Sequence, residues 1–445
     1  MGRKLQVCAL SLISAFSYST SAFAQVAADA PNTATPAAPA AAPDPKTETN
    51  VVAEPAAPAA PTIAPEPTPV PVAPAADAPP PTAFEALKIE SKNGSANLKI
   101  GLLLQPQYEA VGSATPGVTG ASQNLFLRRT RLLVGGTLFG KIDYFFETDS
   151  PNLFKGDAAG TGGATPMPAT GQKAGFGIGV QDAFFTYKAY DDYLKLDAGY
   201  MLTPGAHNAL QGAGTLLSLD YFSNTFRHSP VFNNAGGNPA GRDAGVEFRG
   251  LVLDNHLEYR AGLFQGLRRP ASATQVADRN MFRIAARVQI NVFDAENAFF
   301  YAGTYLGKKK VLSFGAAYDT QSDYHHWAVD GFLDMPLGPG GLTAQANFSK
   351  WNGGPFVNLP KQTAFMAEAG YRFDAVPISP IVNFETRKVS TTDVKETRYG
   401  LGVAYWPYAH NLNLKAFYTR VAPSPTGPTV QGYNQFNLQW QFYFY

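Results

Sequence analysis

The feature that most constrains this chain is an alternation of period two that begins at Asn97 and runs to the last residue. It is clearest between Asp243 and Val292. There Val246, Phe248, Gly250 and Val252 fall on one face, and Asp243, Gly245, Glu247 and Arg249 on the other. Leu257, Tyr259, Ala261 and Leu263 then alternate with Glu258, Arg260 and Gly262. Phe282, Ile284, Ala286, Val288 and Ile290 alternate with Arg283, Ala285, Arg287 and Gln289. Successive side chains of a strand point to opposite faces, so these are strands with one apolar and one charged face. Three such strands suit a soluble sheet or a membrane barrel equally well, and the rest of the chain has to decide.

The pattern predicts sixteen strands: 97–109, 125–138, 141–149, 180–189, 193–201, 243–252, 256–265, 280–292, 311–319, 324–334, 342–352, 363–373, 378–388, 396–406, 411–421 and 433–445. Glycine, proline and Asx clusters separate them. Connections at Gly140, Tyr190-Asp191-Asp192, Asp254-Asn255, Asp374-Ala375-Val376 and Pro407-Tyr408-Ala409 are very short. Those between are mostly longer, above all 150–179 and 202–242. An even count, with short turns on one rim and long loops on the other, predicts an all-β fold, a 16-stranded antiparallel transmembrane β-barrel over 84–445. Phe293 to Lys310 breaks the rule as a long connection on the short-turn side, and Thr320-Gln321-Ser322 breaks it in the other direction. Aromatic residues recur near strand ends on the apolar face, among them Tyr187, Trp327, Tyr371, Phe373 and Tyr405, as expected where lipid meets water. The last strand ends its apolar register at Phe444, which leaves Tyr445 on the opposite parity.

Residues 1–24 read as a signal peptide. Arg3 and Lys4 precede an apolar segment, and Ala22-Phe23-Ala24 is a small-x-small cleavage site. The only cysteine, Cys8, lies inside it, so no disulfide, thiol chemistry or cysteine-bound metal is expected beyond it. Residues 25–83 form a Pro/Ala-rich arm, which cannot bury enough apolar surface to offset its ordering entropy. It is expected to be a disordered periplasmic linker, with a cell-wall contact as the rival role. No later run of about 18 apolar residues predicts a transmembrane helix. The formal net charge of +1 gives no reason to expect a nucleic-acid partner.

Catalytic signals are sparse, and no cofactor is expected. His325 and His326 are neighbours in a strand, point to opposite faces and cannot jointly chelate a metal. Arg227-His228-Ser229 has no placed acid, which speaks against a hydrolytic triad. The glycines of 160–179 fit no phosphate loop, and Lys308-Lys309-Lys310 reads as a solvated turn or headgroup anchor. The charged face is more informative. Alternation places thirteen cations on it: Lys99, Arg129, Arg131, Lys188, Lys195, Arg249, Arg260, Arg283, Arg287, Arg372, Arg387, Arg398 and Lys415. At least nine acids share that face. A cation turned to lipid would cost roughly 2–4 kcal/mol at the midplane, so these should face water. Two readings stay open: a lining that draws anions, with Arg129, Arg131, Lys188, Lys195, Arg249, Arg260, Arg283 and Arg287 as pore-lining anion-binding residues, or mutual pairing, for instance of Glu247 with Arg260, that stiffens the wall. The loop 203–241 is expected to fold inward and constrict the pore through Thr203, Leu216, Leu217, Tyr221 and Arg227, because its apolar patch needs somewhere to bury.

Phe126-Leu127-Arg128-Arg129-Thr130-Arg131-Leu132, followed by Gly136 and Tyr144-Phe145-Phe146-Glu147, resembles the first barrel hairpin of the phosphate-selective porin O/P family. Asp197-Ala198-Gly199-Tyr200 with Pro204-Gly205 resembles that family's entry into its third loop. The resemblance implies a sixteen-stranded porin, usually a homotrimer, that passes small anions such as phosphate across the outer membrane of a Gram-negative bacterium. The candidate third loop departs from the family, with Arg227 as its one cation and no lysine. The resulting expectation is a passive, water-filled channel for small anionic or polar solutes, set in outer-membrane lipid and not an enzyme. An outer-membrane barrel enzyme and a plugged structural anchor are the rivals.

Overall fold

The computed structural model describes residues 86–114, 116–156, 177–221, 241–267, 281–353, 360–422 and 431–445. The signal 1–24, the arm 25–83, the triplet Arg227-His228-Ser229 and most of the glycine-rich stretch 160–179 lie outside the described residues.

Seventeen strands are present: β1 (Leu87–Glu90), β2 (Asn97–Gly112), β3 (Ala121–Leu138), β4 (Ile142–Asp149), β5 (Gly179–Tyr190), β6 (Leu194–Leu202), β7 (Arg242–Val252), β8 (Leu257–Phe264), β9 (Arg283–Asn291), β10 (Val311–Gln321), β11 (Tyr324–Pro336), β12 (Gly340–Asn352), β13 (Gln362–Phe373), β14 (Ile378–Val389), β15 (Lys395–Tyr408), β16 (Leu412–Ala422) and β17 (Tyr433–Phe444). β2 to β17 are the sixteen strands read from the alternation. Each pairs antiparallel with its neighbour, and β17 returns to β2, with Phe436 opposite Ala110 and Gln439 opposite Gln107. A closed barrel has no free edge, so every ladder group in the wall finds a partner without water.

β1 was not legible in the sequence. It pairs with the start of β2, from Leu87↔Ile100 to Glu90↔Asn97, on the same edge that β17 vacates after Phe444↔Leu102. The closing tyrosine also has a place. Tyr445 lies where a side chain on Gly101 or Gly135 would have to go, and its ring meets Phe145 edge-on at 5.6 Å. The off-parity residue therefore fills a slot that two wall glycines leave open.

The two faces of the wall differ as the alternation requires. Outside, Ile284, Val288, Ile290, Phe314, Tyr318 and Val329 are all at least 46 % exposed, an apolar surface too large to leave to water. Inside, Arg260, Arg283 and Arg287 are at most 2 % exposed. The turn at Phe139-Gly140 has positive φ at both residues (53° and 69°), the geometry that matches hairpin twist. The two breaks in loop length have different outcomes. Ser322-Asp323 is simply a tight turn on the long-loop rim, whereas 293–310 folds back into the barrel.

One local irregularity matters. Between Leu104 and Pro106 the β2–β3 register shifts, so that Leu104 pairs with Thr130 but Pro106 with Leu127. Proline cannot donate a ladder bond, and a bulge is where a strand tolerates it. The bulged residues are Arg128 and Arg129.

Candidate functional site

The barrel's inner face is the candidate site. On β7, β8 and β9, Arg249 stands directly opposite Arg260, and Arg260 directly opposite Arg287. Three guanidiniums thus form a row across adjacent strands. Each has a carboxylate: Arg249 Nε donates to Asp197 at 2.7 Å, Arg260 Nε to Glu258 at 3.0 Å, and Arg287 to both oxygens of Asp330 at 2.6 and 2.8 Å. Arg283, four residues before Arg287 on β9, donates to Asp319 at 2.6 and 2.8 Å and to Asp243 at 3.3 Å. Arg260 takes its acid from Glu258 on its own strand, not from Glu247 across the ladder as the alternation suggested.

The segment 293–310 enters from the short-turn rim and lies on this row. Arg249 donates to the Asn297 carbonyl at 3.3 Å, and Arg260 to the carbonyls of Phe299 at 2.8 Å and Ala298 at 3.0 Å. The Phe299 ring centre is 5.4 Å from Arg249 and 5.9 Å from Arg260, and the Tyr301 ring 4.5 Å from Arg260 and 5.5 Å from Arg287. Aromatic faces attract guanidiniums, more so where water is excluded. Lys195 donates to Asn297 Oδ1 at 2.8 Å and pairs with Asp192 at the same distance.

From the opposite rim, 203–221 crosses the lumen. Thr203 accepts from Arg283 at 3.3 Å. Ala206 packs with Ala317 and Ala328. His207 stacks between Tyr301 and Phe332, at 4.6 and 4.2 Å between ring centres, and its Nε2 lies 2.8 Å from Glu296. Burial raises the Glu296 carboxyl and His207 draws it down, leaving it below the usual range. Gln211 donates to Gln345 at 3.0 Å. Leu217 packs with Leu306, Ile381, Ala404, Trp406 and Phe417, while Lys415 donates to the carbonyls of Leu216 at 2.6 Å and Ser218 at 3.0 Å. At the far end Tyr221 donates to the Gln211 carbonyl at 2.5 Å. Thr203, Leu216, Leu217 and Tyr221 therefore all lie within the barrel. Arg227 lies outside the described residues.

The bulge supplies the remaining anchor. Alternation puts Arg129 and Arg131 inside and Arg128 outside. Instead Arg128 Nε donates to Asp220 Oδ2 at 2.6 Å, and Arg129 donates to the other oxygen of the same carboxylate. Burial would raise the Asp220 carboxyl, but the two guanidiniums hold it well below the usual range. Arg128 was missed because a strict period of two cannot accommodate an extra residue. Pro106, a proline inside a strand pattern, was the available signal. Arg131 pairs with Glu147 and Asp149, and Lys188 with Asp143 at 2.8 Å.

These placements correct the expectation that the eight cations stand in water. Arg129, Arg131, Lys195, Arg249, Arg260, Arg283 and Arg287 are buried, Lys188 is partly exposed, and all eight face an acid. Among the described residues, the buried charged groups are nine cations and fourteen carboxylates. A charge taken out of water needs a close partner, and that need, not solute capture, accounts for the pairing. His325 is exposed and His326 buried, on opposite faces as expected, and the described residues contain no cluster of metal-ligating side chains. Lys308 and Lys310 are exposed, and Lys309 donates to the Ala295 carbonyl.

No family model matches this chain, and no curated protein does. The resemblance to the phosphate-selective porin O/P family thus rests on the residues quoted for it. Among solved structures the chain is similar to an anion-selective porin from Comamonas acidovorans (13% identity, 78% of this chain and 100% of that one, TM-score 0.49). It is also similar to the outer membrane channel DcaP of Acinetobacter baumannii (12%, 81% and 100%, 0.48) and to a BenF-like porin from Pseudomonas fluorescens Pf-5 (14%, 78% and 98%, 0.44). At these identities and TM-scores the likeness assigns no solute, selectivity or assembly to this chain.

Proposed function

We propose that this protein is an outer-membrane porin, a passive channel for small hydrophilic solutes. The observation that carries this reading is a closed barrel of sixteen strands, apolar outside and charged inside. Barrels of this size are wide enough for an aqueous path, and a charged interior has no use in a packed core. The finer reading, a preference for anions such as phosphate, is supported by the row Arg249, Arg260 and Arg287. The excess of buried carboxylates weighs against it, so we infer at most a modest anion preference, weakening with salt as screening grows. Stepwise conductance of purified protein in a planar bilayer tests the channel, and the reversal potential in a salt gradient tests the preference. Cation selectivity would remove the anion reading.

A plugged anchor is the second reading, favoured by the two inward segments. It predicts no conductance at all. We further propose that 1–24 is a cleaved signal, that 25–83 is a periplasmic spacer, and that the barrel assembles as a homotrimer. Deleting 26–82 behind the signal should leave heat-resistant migration and conductance unchanged. A deletion that no longer folds would make the arm part of the barrel.

A further inference from the structure

We infer that 293–310 is one leaf of a two-leaf gate, and that its displacement bares Arg249, Arg260 and Arg287 to small oxyanions. The inference rests on the channel reading above. The leaves come from opposite rims and meet backbone to backbone. Gln211 bridges Tyr301 in parallel register, Gly212 N donates to the Tyr301 carbonyl at 2.8 Å, Tyr301 N to that of Leu210 at 2.9 Å, and Thr304 N to that of Thr215 at 3.0 Å. At Gly303 a Cβ would come within 2.6 Å of Leu216 Cα, so only glycine permits this approach. His207 and Glu296 close the contact on its other side. Gln211, His207, Glu296 and Tyr301 are at most 1 % exposed, so water does not reach the junction.

What the leaf covers gives the gate its chemistry. The carbonyls of Asn297, Ala298 and Phe299 sit on guanidinium donors of Arg249 and Arg260 at 2.8 to 3.3 Å. These are neutral acceptors. An oxyanion offers the same donors charged oxygens and can take two of them at once in the planar guanidinium fork, which a single carbonyl cannot. Glu296, the acid of the leaf nearest the row, is turned to His207 and Tyr305. Beyond the carboxylates that Asp197 and Glu258 supply, the leaf therefore fills the remaining donors of Arg249 and Arg260 with neutral carbonyls, which a small oxyanion can replace.

The test uses the full-length protein in planar bilayers. Gln211→Cys/Tyr301→Cys joins two directly opposed positions, and the only native cysteine is Cys8 in the predicted signal. With the disulfide verified by mass, the oxidised protein should lose its conductance steps, and reductant should restore them to the level of the single-cysteine variants. Gly303→Val should wedge the leaves apart, raise conductance severalfold and move the reversal potential toward anions, in chloride and in phosphate. Steps that are equal with and without the disulfide, or a Gly303→Val channel with wild-type conductance and selectivity, overturn the gate and leave the channel standing. A folded barrel that conducts in none of these forms overturns the channel reading and the gate with it.

Discussion

Arg128 and Asp220 are joined at 2.6 Å although strand parity assigns Arg128 to the lipid side of the wall. The bulge opposite Pro106 turns it inward, and Asp220 becomes the shared anchor of Arg128 and Arg129 for the loop that crosses the lumen. This makes Asp220 the point at which the loop is held to β3. Asp220→Asn should loosen that end of the loop and leave two guanidiniums without their acid. Hydrogen bonds to charged groups contribute about 1.5–3 kcal/mol each, discounted here because Asp220 is partly exposed. Noisier and larger conductance, with a lower temperature for loss of heat-resistant migration, is expected. An unaltered trace would mean the loop's other contacts, from Thr203 to Lys415, hold it without Asp220.

Replacing Arg283 and Arg287 together with Gln should impair folding, contrary to what a water-facing position would imply. Asp319 and Asp330 would remain buried without their guanidinium partners, and breaking such a pair costs about 3–5 kcal/mol. Folded yield after refolding into detergent measures this. Adding Asp319→Asn and Asp330→Asn to that variant should recover much of the loss, because it removes the two stranded charges. Equal yields for the two variants would show that these pairs contribute little.

The closing residue makes a separate prediction. Truncating Tyr445 removes its contacts with Phe145 and with the slot at Gly101 and Gly135. An aromatic pair contributes roughly 0.5–1.5 kcal/mol beyond area burial, so a small fall in thermal stability is expected. Gly135→Val should cost more, since its Cβ would also come within 2.9 Å of the Tyr144 carbonyl. Gly135→Val with native stability would show that the slot adjusts.

Stability should decline in mild acid. Burial, with Lys415 adding to it and the Thr304 carbonyl that the ring meets at 3.0 Å opposing it, pulls His410 down from 6.5 to about 4. In the unfolded chain His410 takes a proton near pH 6.5 and in the folded protein only near 4. Its contribution is therefore whole above 6.5 and lost progressively as the pH falls toward 4. Asp220, held low, adds a loss in the same direction at still lower pH. Heat-resistant migration followed from pH 8 to 4 reads the slope, and His410→Gln should flatten its upper part. An unchanged slope would assign the acid loss to other groups.

How much of this the amino-acid order determined depends on the range of the force involved. Alternation is local: every second side chain must meet lipid or the lumen, so sixteen strands, their faces and the inward set Arg249, Arg260, Arg283 and Arg287 could be read directly. So could the row they form, because consecutive strands of a barrel are neighbours. The inward course of 203–221 could be expected from its apolar patch, but the partners it meets and the second inward segment could not. The contacts of Asp330 with Arg287, Asp220 with Arg128, and Glu296 with His207 join residues 43, 92 and 89 positions apart. No periodicity records such pairs. Likewise, 293–310 looked like an overlong turn, because nothing in its order says which way it folds. That direction follows from the closed wall. Once the arginine row is buried, its donors need acceptors, and the carbonyls of Asn297, Ala298 and Phe299 supply them.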